Sequence, residues 1–503
     1  WGIPIRPSGD RSKPSSWFPG LHDWEAFLAE RVRLIWYEVE PGANGKRLFL
    51  TLNRGRIALS NSELIKALLL SNVDEGLRGD SSEKEAREVE ITTQWDEMEQ
   101  ALHDPEFWGF LGGDVLSGQG ERPRMEYVFE LLNPPGADED TRNVYRTYVA
   151  YDRRIKSFRA ASDPDEGDLG TFVRGTLWRK EIRGAFMRLR EWFRDSEHFH
   201  KVGFLIAVRH NPAGLIGELL QLSNRSTKAQ FLLEVDRRLI GAVRFGKEKA
   251  GSWDFDDELV DRLHYQSNGK ALTHLLLLHN CLYCWRPPTG RKRGGRTERF
   301  SFRRDGERSR WSLEHINPQS EKRFLNPNSG FDEHRARKWL ERHQPFLSLL
   351  RPGADSESQT ELETQVRDLL AVATFREPDF QPTRDAILRA FGRNFYDEGN
   401  PVVDRLGNLA LLGLGQNREL GDGIFAEKRQ GVLQMIADGR FVPPCTRRLF
   451  LKAFVQPPGA DMRERSFAFW TRTDADDVRA EVLGYLRRLA EGQQAQIADL
   501  GEH

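Results

Sequence analysis

Apolar residues recur at helical spacing along most of the chain, and strand-like alternation is confined to short runs. Ser60-Asn61-Ser62-Glu63 reads as a capping box, with Leu59 and Leu64 placed as a hydrophobic staple. The helix it opens carries Leu64, Ile65, Leu68 and Leu69 on one face. Trp95–Leu111 continues the pattern through Trp95, Met98 and Leu102, and Met125–Leu132 predicts another short helix. From Phe172 to about Trp285 the pattern is helical almost throughout, marked by Leu177, Ile182, Phe186, Leu189 and Phe193. Asp74–Glu90 is polar and reads as an acidic loop or a solvated helix. Near the start, Arg33–Val39 and Leu48–Asn53 have strand character. No fixed repeat period is present.

After Trp285 the pattern changes. Residues 286–310 contain Pro287-Pro288 and Gly294-Gly295 and read as a boundary loop. Phe300–Arg303 and Ser309–Glu314 look like strands. A long insertion, 319–403, is partly helical at Ala336–Leu350 and Glu361–Thr374. Leu406–Leu412 predicts a strand, about Phe425 to Ile436 a helix, and Asp474–Glu491 a charged amphipathic helix. The fold class is therefore mixed and mainly α, in three parts: 1–75 with α/β character, a helical domain over 76–285, and a C-terminal domain over 286–503. The last has the order strand, loop, strand, helix, with helical insertions.

Composition narrows this picture in a few places. The 503 residues suit several domains, and a net charge of −1 points to no partner by itself. The charge is unevenly placed: Arg286–Arg310 holds ten Lys/Arg against three acids. Three cysteines exclude a disulfide framework and suit a reducing cytoplasm. No apolar run approaches the roughly 20 residues that span a bilayer, so no membrane partner is expected. The chain opens on Trp1 rather than Met, which reads as a natural N-terminal part lying outside the sequence.

The chemistry concentrates in Glu314-His315-Ile316-Asn317-Pro318-Gln319 and, about ninety residues later, Gly407-Asn408-Leu409 with Asn417 and Lys428. Phosphodiester hydrolysis needs an activated water and charge neutralisation on the scissile phosphate. Glu314 offers a carboxylate and Asn417 an amide oxygen to a hard cation, Mg²⁺ or Mn²⁺. His315 is the candidate general base. Asn408 is expected to fix the loop or the imidazole. Arg418, Lys428 and Arg429 are candidate phosphate contacts, as are Arg291, Lys292 and Arg293 in the basic stretch. Adjacent strand residues point to opposite faces, so Glu314 and His315 need a bend to converge. Cys281 and Cys284, with His274 and His279 nearby, suggest zinc, but Cys445 is distant in sequence and buried helix cysteines are the default reading.

These two segments resemble the motif of HNH (ββα-metal) nucleases, in which Asp-His-Ile-x-Pro opens the site. Glu314 stands where Asp is commoner, Asn408 matches the middle Asn, and Asn417 matches the last metal-binding position. The wider chain resembles bacterial modification-dependent restriction or anti-phage proteins of the GmrSD and SspE type. Leu48–Gly55 with Glu63–Ala67 is similar to the end of their ParB-like nucleotidase domain, and Trp95-Asp96, Phe107-Trp108 and Trp192-Phe193 are also similar to that family. The resemblance implies a DNA endonuclease that nicks foreign or modified DNA, controlled by an NTPase-type domain, with oligomers possible. The family's Asp-Gly-Gln-Gln-Arg nucleotide motif is not found, so a nucleotide would act through a region outside this sequence. A DNA-modification sensor with a silent nuclease, or an RNase, remains open as an alternative.

Overall fold

In the computed structural model the residues described are 59–76, 80–113, 123–134, 143–161, 168–243, 246–249, 252–255, 257–285, 298–302, 311–319, 324–326, 330–350, 356–392, 401–452 and 468–501. They are mainly helical. Arg33–Val39, Leu48–Asn53, Arg291, Lys292 and Arg293 lie outside them.

The first helices are α1 (Asn61–Asn72), α2 (Ser81–Leu102), α3 (Pro105–Phe110), α4 (Arg124–Leu132) and α5 (Arg146–Ala161). Ser60 caps α1 through the expected reciprocal box with Glu63. The acidic stretch after Asp74 resolves into the solvated start of α2, capped by Asp80. A π-wound stretch, Phe172–Arg183, then runs into α6 (Gly184–Arg194). After it come α7 (Ser196–Val208), α8 (Pro212–Arg225), α9 (Lys228–Val243), α10 (Asp257–Asp261) and α11 (Tyr265–Trp285). A short hairpin of β1 (Gly246–Lys249) and β2 (Ser252–Phe255) interrupts a region whose pattern predicts helix throughout. Its Gly-Lys-Glu-Lys and Ser-Trp-Asp-Phe runs are too short to show a period of their own.

Phe300–Arg303 reads as a strand from its sequence, and its described part, 300–302, pairs with no strand among the described residues. Its role is packing. Phe300 and Phe302 are buried against the helical core, and the Phe300 main-chain N–H donates to His200 Nε2 at 3.2 Å. Burial holds His200 down to about 4, against the pull of its hydrogen bond to the Ser196 carbonyl and with some help from Arg299. The ring is therefore a neutral acceptor.

The C-terminal part is built on a two-stranded antiparallel ribbon, β3 (Trp311–His315) against the strand Leu409–Gly413. Between them lie a second short hairpin, β4 (Leu325–Asn326) and β5 (Gly330–Phe331), and the helices α12 (Glu333–His343), α13 (Ser356–Ala371) and α14 (Glu377–Gly392). Leu409–Gly413 is thus β6; the three residues before it, Leu406–Asn408, wind into a 3₁₀ turn instead of extending the strand. After β6 come α15 (Leu414–Leu420), α16 (Phe425–Ala437), α17 (Pro444–Leu451) and α18 (Arg472–Gly501).

Alternation along the ribbon divides its side chains between two cores. Leu313, Leu409 and Leu411 join the core of the helical part. Ala410 and Leu412 join a second core with Phe425, Val432, Met435 and Trp470. The inserted helices enclose a third core around Phe324, Trp339, Leu340 and Phe380, which reaches α16 through Ile424 and Ala426. The ribbon is thus a partition, and residues from Ser60 onward form one compact unit around it.

Candidate active site

Register fixes which side of the partition each site residue faces. His315 pairs with Leu409 and Glu314 with Ala410. His315 accordingly faces the helical part, and Glu314 faces α16. The two side chains do not converge on one face of the ribbon.

On the helical side, His315 Nε2 lies 2.9 Å from Asp404 Oδ1. A carboxylate only accepts, so Nε2 carries a proton directed at Asp404. Gln319 Nε2 donates to the same Asp404 oxygen, and His264 Nδ1 lies 3.5 Å from the other. The Tyr265 ring meets the imidazole edge-on at 4.4 Å between centroids. His264 and Tyr265 arrive together because α11 starts there, with Asn268 kinking its first turn and accepting from the His264 N–H. His315 is 5 % exposed and Asp404 9 %. The sequence reading missed Asp404, His264 and Tyr265, and it gave Gln319 no role of its own within the motif. Only Asp404 carried a signal, as an acid four residues ahead of Asn408.

Asn408 is the clamp that holds this loop. Its Oδ1 accepts from the Asn317 N–H at 2.8 Å, while its Nδ2 donates to the Asn317 and Val403 carbonyls at 2.9 and 2.8 Å. The Ile316 N–H also reaches the Asn408 carbonyl at 2.9 Å. Asn408 is fully buried, and all its side-chain atoms work on backbone. It sets the path of residues 315–317 and does not touch the imidazole.

On the other face, Glu314 Oε1 meets Lys428 Nζ at 2.6 Å, and the ammonium also donates to the His315 carbonyl at 2.5 Å. Lys428 is 2 % exposed and Glu314 4 %. This corrects the expectation that Lys428 projects toward phosphate. On α16 it follows Phe425 by three residues and precedes Val432 by four, so it sits on the buried stripe. Asn417, expected to offer its amide oxygen to a cation, uses its amide nitrogen on β3. Its amide N–H groups donate to Ser312 Oγ at 2.6 Å and the Leu313 carbonyl at 2.8 Å, which ties α15 to β3 ahead of Glu314. Arg429 donates to the Phe450 carbonyl at 3.0 Å, and Arg418 is exposed at the end of α15.

Beside Lys428, Glu427 faces the buried His343 of the insertion, with Oε2 3.1 Å from Nε2. That contact is not an ion pair. His343 Nδ1 donates to the Trp339 carbonyl, Nε2 accepts from the Ile424 N–H, and burial lowers the ring to about 3. Burial pushes the Glu427 carboxyl up, while Arg342, 3.3 Å from its other oxygen, pulls it back.

A divalent cation at this site would need oxygen ligands. Two oxygens, Glu314 Oε1 and the His315 carbonyl, already hold a positive charge between them in the form of the Lys428 ammonium. The donor chemistry therefore fits a hard cation at these two oxygens. The cysteines lie elsewhere. Cys281, Cys284 and Cys445 are buried thiols pushed up by burial, and Cys445, distant in sequence, comes to 3.8 Å from His279 Nε2. Among the described residues, no group of three or more His, Cys, Asp or Glu is arranged to hold a metal, and no helix is long and apolar enough to cross a membrane.

No family model, no curated protein and no solved structure matches this chain.

Proposed function

We propose that this chain is a phosphodiesterase of the ββα kind acting on DNA in the cytoplasm, as a nicking endonuclease in modification-dependent restriction or anti-phage defence. One observation carries the reading. An antiparallel ribbon followed by helices places a carboxylate-held histidine at a strand end, in a loop that a buried asparagine clamps to the partner strand.

In this reading Asp404 holds the Nε2–H of His315 and stabilises the imidazolium that forms. His315 Nδ1 takes the proton of a water as its oxygen attacks phosphorus. The bond to the leaving sugar oxygen breaks, and that oxygen takes up a proton from solvent. Glu314 Oε1 and the His315 carbonyl are the oxygens that would hold Mg²⁺ or Mn²⁺. Because the Glu314 and His315 side chains lie on opposite faces of the ribbon, this reading requires the strand end to rearrange before the metal would supply charge neutralisation at the phosphate that His315 serves.

A second reading is a DNA-modification sensor whose nuclease frame is silent, and the occupation of Glu314 by Lys428 favours it. Supercoiled plasmid incubated with the protein and Mg²⁺ or Mn²⁺ separates the two. Nicking by the wild type, lost in His315→Ala, is the expected result, and nicking that persists unchanged in His315→Ala sinks the assignment. DNA binding with no cleavage under any metal supports the sensor. RNA of equal sequence, run in parallel, tests the choice of sugar.

A further inference from the structure

A cleft of about 280 Å³ opens between α10, the 405–407 segment and the first turns of α18. Three guanidiniums line it, from Arg405, Arg472 and Arg479, against two carboxylates, Asp261 and Asp476. The Asp261 carboxylate is already engaged, because Arg479 grips both of its oxygens. Arg405 donates to the Asp261 main-chain carbonyl, which is neutral, and no carboxylate among the described residues pairs with it. A guanidinium has five donors in a planar fork, so Arg405 brings uncompensated charge and further N–H groups to the cleft. Arg472 and Asp476 are exposed, which opens the cleft to the surface.

Chain continuity joins this cleft to the histidine. Arg405 directly follows Asp404, the residue that holds His315, and Asn408 is three residues further on. Gly407 lines the same cleft, and a Cβ there would meet the Ala475 carbonyl oxygen at 2.3 Å. Backbone contact therefore locks the segment against α18, and whatever binds the arginines is held at a fixed place relative to His315.

We propose that the cleft binds a backbone phosphate of a DNA strand, neighbouring the phosphodiester presented to His315, with Arg405 and Arg472 as donors. Forked guanidiniums match phosphate oxygens in geometry and charge. Inorganic phosphate or a free nucleotide offers the same oxyanion. The surface opening and the continuity with His315 favour a strand that passes from one to the other. The role of the neighbouring phosphodiester rests on the nuclease reading; binding of DNA phosphate by the arginines does not.

The test measures binding apart from cleavage. Arg405→Gln/Arg472→Gln is made in the full chain carrying His315→Ala. A short labelled DNA duplex is titrated by fluorescence anisotropy in EDTA, between about 50 and about 200 mM salt. The double variant should bind about tenfold more weakly, with a salt slope reduced by about one, as for the loss of one phosphate contact. Arg405→Lys, which keeps the charge, should recover much of the slope. Thermal melts establish that each variant is folded. Unchanged affinity and slope in the folded double variant overturns the proposal, as does a parent protein that binds no DNA. Melts with inorganic phosphate or ATP form the second arm. Stabilisation of the parent but not the double variant, with equal DNA binding by both, assigns the cleft to a small anion and also overturns it. Arginine-dependent binding without any nicking by the wild type keeps the subsite and removes the nuclease reading. Nicking that needs His315 but is indifferent to the arginines does the reverse.

Discussion

The two faces of the β3–β6 ribbon treat two adjacent residues in opposite ways. On the α16 face, Glu314 meets a single ammonium, and both partners are almost completely shielded from water. On the helical face, His315 meets a carboxylate that is shared with Gln319 and approached by a second histidine. The first is a buried pair of opposite charges. The second is a network in which several donors converge on one acid. Burial of an ion pair is costly and its value lies in not being broken, whereas a network orients its members and tolerates loss of one edge. With Lys428 in place the Glu314 face bears on stability, and the His315 face orients the candidate base.

The largest expected effect breaks the pair. Lys428→Met leaves Glu314 buried without its cation and should destabilise the protein by about 3–5 kcal/mol. Glu314→Gln combined with Lys428→Met should recover a substantial part. Urea denaturation of the two single variants and the double variant measures the coupling, and additive losses would show that the pair does not act as a unit.

On the other face, His315→Ala should leave the unfolding free energy within about 1 kcal/mol of wild type while lowering nicking about 10²–10⁴-fold. Asp404→Asn should fall between the two, because an amide can still orient the ring without stabilising its charged form. Equal nicking by Asp404→Asn and wild type would remove Asp404 from the mechanism.

A pH series sharpens the comparison with a third histidine, one that has no carboxylate. Folded His200 resists protonation until about pH 4, whereas the unfolded chain takes up that proton near 6.5. The unfolded state thus binds more protons across this window, and stability falls as pH drops from 6.5 toward 4, by about 3 kcal/mol at most. Replacing His200 with Gln should flatten that part of the curve. A wild-type profile with no slope between those values would contradict a neutral His200.

The smallest effect concerns the clamp. Asn408→Ala leaves the Asn317 N–H and the Val403 carbonyl without their side-chain partner and should cost about 1–3 kcal/mol. Nicking should fall more than stability accounts for, because the loop carrying His315 loses its fixed path. Activity measured well below the unfolding transition checks this.

Much of this was readable in advance, for local reasons. The capping box at Ser60, the helical spacing of the long middle region and the strand–loop–strand–helix order all depend on residues close in sequence, where periodicity and capping act. The pairing of Glu314-His315 with Asn408 was legible because both stretches carry distinctive residues, even across a long insertion. The role of Asn408 as a backbone clamp was half visible. The hairpin at Gly246–Phe255 and the 3₁₀ turn at Leu406–Asn408 were not, being too short to show a period.

By itself the sequence determined the mainly helical character, the presence of a ribbon and the identity of the acid–histidine pair. Only the tertiary structure decided which side of the ribbon each of them faces and what it meets there. Register put His315 with Asp404, His264 and Tyr265, and Glu314 with Lys428. The physical reason is that a strand alternates its side chains by geometry alone, while the partner of each face is supplied by elements far away in the chain. Lys428 shows this most plainly: its charge suggests solvent or phosphate, and its place on the buried stripe of α16 overrides that by giving it a carboxylate inside.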